Sequence, residues 1–397
     1  MQEVKPPFYS LVKQFTPDCW LMLLLVFLMK AGQFMLLPYL ALYLTRTTHA
    51  SVDVVGVVVG IGSLVYGLLG PFNGYLIDKF GRRRVIIISV FFAGLVFIFF
   101  NLERTITYYF CMNMLVGVTR SAFDTAARSY KIHSMDLELR RVWFSVRFVV
   151  NNAAAGLGPV VGMFFIQKNA DILFVINGAL FVLLSFIILF YMKQVDDFSE
   201  TLAPPSILQV FKTLLNDMKL FCIVVGATLM WLCYVQLDSM FGIYLNETFS
   251  NGLEILTWTF VVNTAGCVLL QIPMARFMTR FSENRQIIIG TMFYMLGFLI
   301  IPLVSHISAL LFATLLVVFG EVILSPLVDL LVYKLAPTNM MGSYYGALAL
   351  SMIGVGLAPM VGGVFYEYLS AKVLFFFCVF MFLLMGLLLR RGIKKDI

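Results

Sequence analysis

The sequence predicts an all-α membrane protein, with twelve transmembrane helices in two pseudo-symmetric six-helix bundles and both termini cytoplasmic. Three observations carry this reading: an apolar composition, a one-sided distribution of basic residues, and an internal repeat. Of 397 residues, 61% are hydrophobic and only 12% charged, and the mean hydropathy is +0.95. A soluble chain of this length carries roughly twice that charged fraction. No water-facing shell can be built from this alphabet, so two soluble domains are excluded.

A bilayer core needs about 20 apolar residues per helix. Such runs lie near 19–44, 53–77, 85–102, 106–131, 142–167 and 171–192, and then near 218–245, 253–277, 285–303, 307–334, 342–369 and 373–390. Residues 1–192 form the expected N-terminal bundle, 193–217 a cytoplasmic linker and 218–397 the C-terminal bundle. The linker opens extended at Pro204-Pro205 and continues as a short amphipathic surface helix. The first apolar run lacks a small-residue cleavage site and reads as a retained span.

Loop charges set the orientation. One side holds 21 basic residues, among them Lys79, Arg82, Arg83, Arg84, Arg140, Arg141, Arg276, Arg280, Arg285, Arg390 and Arg391, together with Lys5, Lys131, Lys193, Lys394 and Lys395. The opposite side holds 4: Arg46, Arg104, Lys168 and Lys372. The positive-inside rule therefore places both termini in the cytoplasm and requires an even number of spans. It also accounts for the net charge of +7 without a nucleic-acid partner.

The repeat appears as Gly156-Leu-Gly158-Pro159-Val-Val-Gly162 against Gly356-Leu-Ala-Pro359-Met-Val-Gly362-Gly363, displaced by 200 residues. Lys79-Phe80 through Ile88 echoes Arg280-Phe281 through Ile289, displaced by 201. A nearly constant offset implies duplication about an axis along the membrane normal. The six cysteines stand singly, with no C-x-x-C pair, and His49, His133 and His306 are scattered, so neither a disulfide framework nor a metal site is indicated.

Between the second and third runs lies Gly74-Tyr-Leu-Ile-Asp78-Lys-Phe-Gly81-Arg82-Arg83-Arg84. Gly74 permits close helix approach, Gly81 a tight turn, and the N-terminus of the eleventh span can accept Asp78 as a charge partner. The segment resembles the loop signature of the major facilitator superfamily, G-x-x-x-D-(R/K)-x-G-(R/K)-(R/K), at every defined position. Gly158-Pro159-Val-Val-Gly162 is similar to the G-P-x-x-G signature of that family's antiporter branch, and its echo at Pro359 and Gly362 makes part of the signal architectural. Phe123-Asp124 through Arg128-Ser129, followed by Arg147 and Asn152, resembles the F-D-P-x-R-S…R-x-x-x-x-N…G-P pattern of drug:proton antiporters. The sequence departs from that pattern at Thr125, where the branch has Pro, and carries an additional cation, Lys30.

Ionisable side chains in spanning helices each cost at least a few kcal/mol and need an explanation. They are Lys30, Arg120, Asp124, Arg147, Asp238, Glu321 and Asp329. The resemblance implies that the first, fourth, seventh and tenth helices, which carry nearly all of them, line a central cavity. Arg120, Asp124 and Arg128 share one helix face, as do Glu321, Ser325 and Asp329. Asp238 and Glu321 are the candidate proton carriers, because desolvation favours a protonated carboxyl and a nearby cation the ionised one. A fixed ion pair of either with Lys30 is the alternative. Lys30, Gln33, Arg120, Trp231 and Tyr234 are candidate cavity residues, with Lys30 able to receive an anionic group. Asp124 and Arg128 are expected in a gating network with Asp136 or Arg140. Gly74, Asp78, Gly81, Arg82, Arg83, Arg147, Asn152 and Asp329 complete the expected conformational switch.

The function these residues imply is secondary active export of a small amphipathic compound in exchange for protons, by rocking of two halves about a midplane site. Uptake or export of an anionic metabolite, such as a carboxylate siderophore held by Lys30, is the second transport reading. A non-transporting membrane sensor belongs to another class, but no loop is long enough to fold as an output domain. No G-x-x-x-x-G-K-[ST] signature is present, and no catalytic pair for a membrane enzyme. The expected partners are a small-molecule substrate, protons and the lipid bilayer of a bacterial inner membrane. The chain is expected to act as a monomer, with a proton gradient and no cofactor.

Overall fold

The computed structural model describes residues 8–48, 52–130, 132, 135–192 and 206–393. Every regular element among them is helical. The first group comprises α1 (Phe8–Val12), α2 (Pro17–Thr48), α3 (Val52–Leu68), α4 (Gly70–Phe80), α5 (Arg82–Ile98), α6 (Ile106–Ser129) and α7 (Leu137–Tyr191). After α8 (Ile207–Asn216) come α9 (Met218–Tyr234), α10 (Gln236–Ser239), α11 (Phe241–Thr248), α12 (Gly252–Met278), α13 (Glu283–Ile300), α14 (Ile307–Leu335), α15 (Met341–Ala349), α16 (Met352–Tyr368) and α17 (Ala371–Arg391). Among the described residues, eight helices are long and apolar enough to cross a membrane, or nine when α3 and α4, bent by 48° to one another, count as one. Lys5, Lys131, Lys193, Lys394, Lys395, His49, His133 and the linker opening 193–205 with Pro204-Pro205 lie outside the described residues, as do the side chains of Arg46 and Lys168.

Local chemistry sets the boundaries. Side chains of Thr105, Asp136, Asp217, Ser282 and Ser370 accept backbone N–H groups at the starts of α6, α7, α9, α13 and α17. Each satisfies a donor that the first helical turn leaves open. Between α4 and α5 the chain turns at Gly81, whose φ of 85° lies in the region that favours glycine. The bend between α3 and α4 falls at Gly70-Pro71, where proline occupies the first turn of the new helix.

Three of the expected runs are interrupted: 53–77 at Leu69, 342–369 at Leu350-Ser351, and 218–245. The run 218–245 is not one helix but three, broken at Val235 and Met240. The runs 142–167 and 171–192 share one continuous helical stretch from Leu137 to Tyr191, within which Asp171–Tyr191 is by itself long and apolar enough to cross a membrane, as expected. Contacts nevertheless require the chain to reverse within α7. Gly162 packs on the Met35 backbone, and Asn177 donates to Gly32 O at 3.0 Å. On an uninterrupted helix residues 162 and 177 would stand ~22 Å apart, whereas residues 32 and 35 are one turn apart.

The helices form two packed units. The first comprises Met1–Trp143, Val150–Phe211 and Ala336–Ala349. The second comprises Phe144–Val149, Lys212–Leu335 and Leu350–Ile397. The core of the first unit is rich in stacked aromatics: Phe100 lies parallel to Phe174 at 4.7 Å and is tilted by 38° to Tyr109. In the second unit Tyr294 stacks on Phe382, also at 4.7 Å.

Candidate functional site

In the first unit the charges of α2 and α6 meet. Lys30 Nζ donates to Asp124 Oδ2 at 2.6 Å, and the Tyr66 hydroxyl donates to the same oxygen at 3.1 Å. Asp124 is 2% exposed, so its charge is sustained by these partners. Arg120 Nε stands 4.0 Å from that oxygen, one turn away on α6, and its guanidinium lies over the Tyr66 ring at 5.1 Å. Lys30, for which the sequence offered Glu321 or Asp238, is therefore bonded to Asp124. The register between α2 and α6 brings the two together across 94 residues, which no pattern within either helix reveals. Asp124 takes its shortest bond from Lys30, a partner the sequence reading did not give it. Asp136 and Arg140 are engaged at the start of α7, where Asp136 caps Leu139 N at 2.7 Å and Arg140 donates to Ile132 O at 2.8 Å. Gln33, one turn from Lys30, is buried and lines a cavity with Arg120.

In the second unit two carboxyls, Glu321 and Asp238, lie near one another. Glu321 on α14 is 5% exposed and accepts Cys267 Sγ of α12 at 3.4 Å. Tyr234 and Asn263 stand within hydrogen-bonding reach of the same carboxyl, and Tyr234 OH donates to Asn263 Oδ1 at 3.3 Å. Asp238 sits in the short α10 between the two breaks, close enough to act on both Glu321 and Tyr234, and its exposed carboxylate makes no hydrogen bond among the described residues. No lysine or arginine described in this unit comes within ion-pair distance of either acid. Trp231 stands edge-on to Tyr234 at 5.7 Å, which places both aromatics beside the acids. Also in this unit, Arg147 pairs with Asp329 at 3.4 Å, and Arg147 is nearly fully buried.

The Asp78 segment makes a distinct site in the first unit. Asp78 accepts Gly342 N at 2.6 Å, Ser343 N at 2.7 Å and Ser343 Oγ at 2.6 Å. These are the open donors at the start of α15, where a carboxylate is favoured by the helix dipole as well. The approach depends on glycine. A Cβ on Gly74 would fall on Gly342 O, and one on Gly70 on Gly346 O. Gly70-x-x-x-Gly74 thus crosses Gly342-x-x-x-Gly346 with backbones in contact. The sequence reading singled out Gly74 alone; the paired four-residue spacings are the signal that would have found the others. Arg82 is buried close to Asp78. Arg83 turns the other way, donating to Met192 O at 2.7 Å and Leu189 O at 2.6 Å, and so holds the final carbonyls of α7.

The repeated glycine-proline segments pack on the helices that carry the charges. On α7, a Cβ at Gly158 would stand 2.7 Å from Phe34 Cβ and 2.9 Å from Ala31 O, and one at Gly162 would meet Met35 O. Pro159 lies between them, and Asn152 is half-buried further back on the same helix. On α16, Gly354 packs on Thr228 O, and Gly362 on the Gln236 and Met240 side chains, with Pro359 between. Gln236 is a residue that sequence reasoning missed. Its Nε2 donates to Leu232 O at 3.1 Å and to Ala358 O at 2.8 Å, across the break in the helix run. Arg128 is half-buried near Tyr66.

Comparison with known proteins agrees with this arrangement. An uncharacterised MFS-type transporter of Bacillus subtilis, YqjV, is 26% identical over 363 residues, covering 90% of this chain and 88% of that protein. The Na(+), Li(+), K(+)/H(+) antiporter of Planococcus maritimus is 24% identical, covering 84% of this chain and 86% of its own. The multidrug resistance protein MdtH of Photorhabdus laumondii is 24% identical over 85% of this chain and 83% of its own. The crystal structure of the human organic anion transporter MFSD10 (TETRAN) shares the fold, with a TM-score of 0.72 at 16% identity, covering 97% of this chain and all of that one. The family model of the Major Facilitator Superfamily matches residues 22–352, and the chain belongs to that superfamily: it is a multi-pass membrane transporter and not an enzyme.

Proposed function

We propose that this transporter exports a small amphipathic compound in exchange for protons, through twelve spanning helices with both termini in the cytoplasm of a bacterial cell. Residues 1–192 and 218–397 act as the two halves, joined by the linker 193–217, and they alternate access to a site at the midplane. The observation that carries the reading is Glu321. It is a buried carboxyl that accepts Cys267 Sγ and has Tyr234 and Asn263 within reach, all neutral, with the unbonded carboxylate of Asp238 beside it. A carboxyl so placed is sensitive to solvent access and to any cation that enters, which is what exchange of a proton for a substrate requires. The broken helix run at Asp238 supports the same assignment, because interrupted helices at membrane depth line cavities. The antiporter of Planococcus maritimus and the multidrug resistance protein of Photorhabdus laumondii support proton exchange and export respectively.

The test uses everted membrane vesicles with an imposed inside-acid gradient and a panel of lipophilic compounds. Gradient-driven accumulation is expected in the native protein. Glu321→Gln is expected to abolish it while sparing exchange of labelled for unlabelled compound without a gradient, and Asp238→Asn to weaken both. Native accumulation that ignores the gradient, or Glu321→Gln with full gradient-driven transport, refutes the assignment.

A further inference from the structure

The first unit holds a mostly apolar cavity with a few polar side chains, which the Glu321 and Asp238 pair does not explain. Its volume is about 40 Å³, and its lining includes Arg120, Gln33 and Ser63 together with Phe97, Phe100 and Phe174. By the same measure a water molecule needs roughly 10–15 Å³, so the space suits about three waters or one small charged group. All three polar side chains lack hydrogen bonds among the described residues. Gln33 is only 5% exposed, and buried amides are almost always bonded.

We propose that this cavity binds an anionic group, either a free small anion or the carboxylate head of an amphipathic substrate. The site belongs to the transport function proposed above and names a class of compound for it. Arg120 supplies the charge. The carboxylate nearest to it, Asp124, stands 4.0 Å from Nε and is already bonded by Lys30 at 2.6 Å and Tyr66 at 3.1 Å. The guanidinium fork is left with open donors in an apolar setting, an arrangement that costs several kcal/mol unless an acceptor arrives. The Tyr66 ring at 5.1 Å fixes the plane of the fork, and a carboxylate is the acceptor whose two oxygens match it. The Ser63 hydroxyl adds a neutral donor, and so can the Gln33 Nε2 group, while Gln33 Oε1, an acceptor left without a partner, is for water rather than the anion. Phe100 and Phe174, stacked at 4.7 Å in the lining, offer apolar surface to the rest of an amphipathic molecule. Lys30, the anion anchor expected from sequence, is the wrong cation for this role because Asp124 occupies it.

The test is thermal unfolding of the purified full-length chain in detergent and gluconate buffer, titrated at constant ionic strength with chloride, acetate or octanoate. Octylammonium and octanol are the controls. A saturable rise in midpoint with chloride or acetate identifies a free anion, and a rise with octanoate alone identifies a substrate carboxylate. Arg120→Gln should weaken half-saturation roughly ten- to a hundredfold, as expected for lost charge-assisted hydrogen bonds, with Arg120→Lys intermediate. Should Arg120→Gln fail to fold, Gln33→Leu and Ser63→Ala carry the comparison, each with a loss of about fivefold or more. The proposal is overturned if no anion gives a saturable response, in which case the cavity holds water only. It is equally overturned if octanol matches octanoate, or if the variants respond as the native chain does. The measurement needs no gradient, so a failure of proton coupling in vesicles leaves it standing, and its own failure leaves coupling untouched.

Discussion

Gly342→Ala tests whether the backbone crossing of α4 and α15 is held by shape. The new methyl carbon would stand 2.7 Å from Asp78 Oδ1, 2.7 Å from Gly74 O and 2.9 Å from Ile77 Cβ. Ordinary contact begins near 3.4 Å, so α15 must retreat by about 0.7 Å; Gly74 O and Ile77 Cβ move only with the backbone of α4, and Asp78 Oδ1 is tied by its own hydrogen bond to Gly342 N. The same retreat would stretch the three Asp78 bonds, now 2.6–2.7 Å, beyond the length at which a charge-assisted bond is strong. Overpacking of this kind costs about 1–3 kcal/mol, offset by up to ~1 kcal/mol from the better helix propensity of alanine. The net expectation is about 1–2 kcal/mol of destabilisation, and a lower thermal midpoint in detergent. Gly363→Ala is the internal control, since a Cβ there meets nothing within 4 Å. It should leave the midpoint unchanged or raise it. Equal effects of the two substitutions, or a stabilised Gly342→Ala, would refute the reasoning.

Three further outcomes are expected. Lys30→Ala strands the buried Asp124 carboxylate and should destabilise by about 3 kcal/mol, while the double variant Lys30→Ala/Asp124→Ala recovers much of that loss in chemical unfolding; additive losses would show that the pair is unimportant. Gln236→Leu removes the amide that joins Leu232 O to Ala358 O and leaves both carbonyls short of a donor, at about 1–3 kcal/mol, measurable as a lower thermal midpoint. Arg83→Ala frees the carbonyls of Leu189 and Met192, so amide hydrogen exchange over residues 187–192 should accelerate about tenfold, and unchanged protection would deny Arg83 a capping role.

What the sequence disclosed was whatever a single helix or a short motif can encode. Membrane spans follow from apolar length, and α12, α13, α14 and α17 begin and end within two or three residues of the expected runs. The superfamily follows from the Gly74 to Arg84 segment, and the start of α15 receives Asp78 through the open N–H groups that every helix presents. Residues whose meaning depends on the register between helices were not legible. Lys30 meets Asp124, and Gln33 shares a cavity with Arg120, only because α2 and α6 pack at one particular height. The interruption at Val235 and Met240 has neither proline nor glycine at its own positions. It is associated instead with Gln236 bonding to α16, a tertiary contact outside the reach of local propensity. The bend between α3 and α4 at Gly70-Pro71 was missed as well, because hydropathy runs straight through the expected span 53–77.

The meeting of Gly70 and Gly74 with Gly342 and Gly346 has a kinetic consequence. Interlocked leucines or phenylalanines must find their rotamers again whenever two helices part and rejoin, and each such search carries an entropic toll. Bare main chain has no rotamers to search. Such a seam forms with little reordering of side chains, and the three hydrogen bonds that cross it converge on one carboxylate, whose grip a single added proton or a single methyl group would loosen.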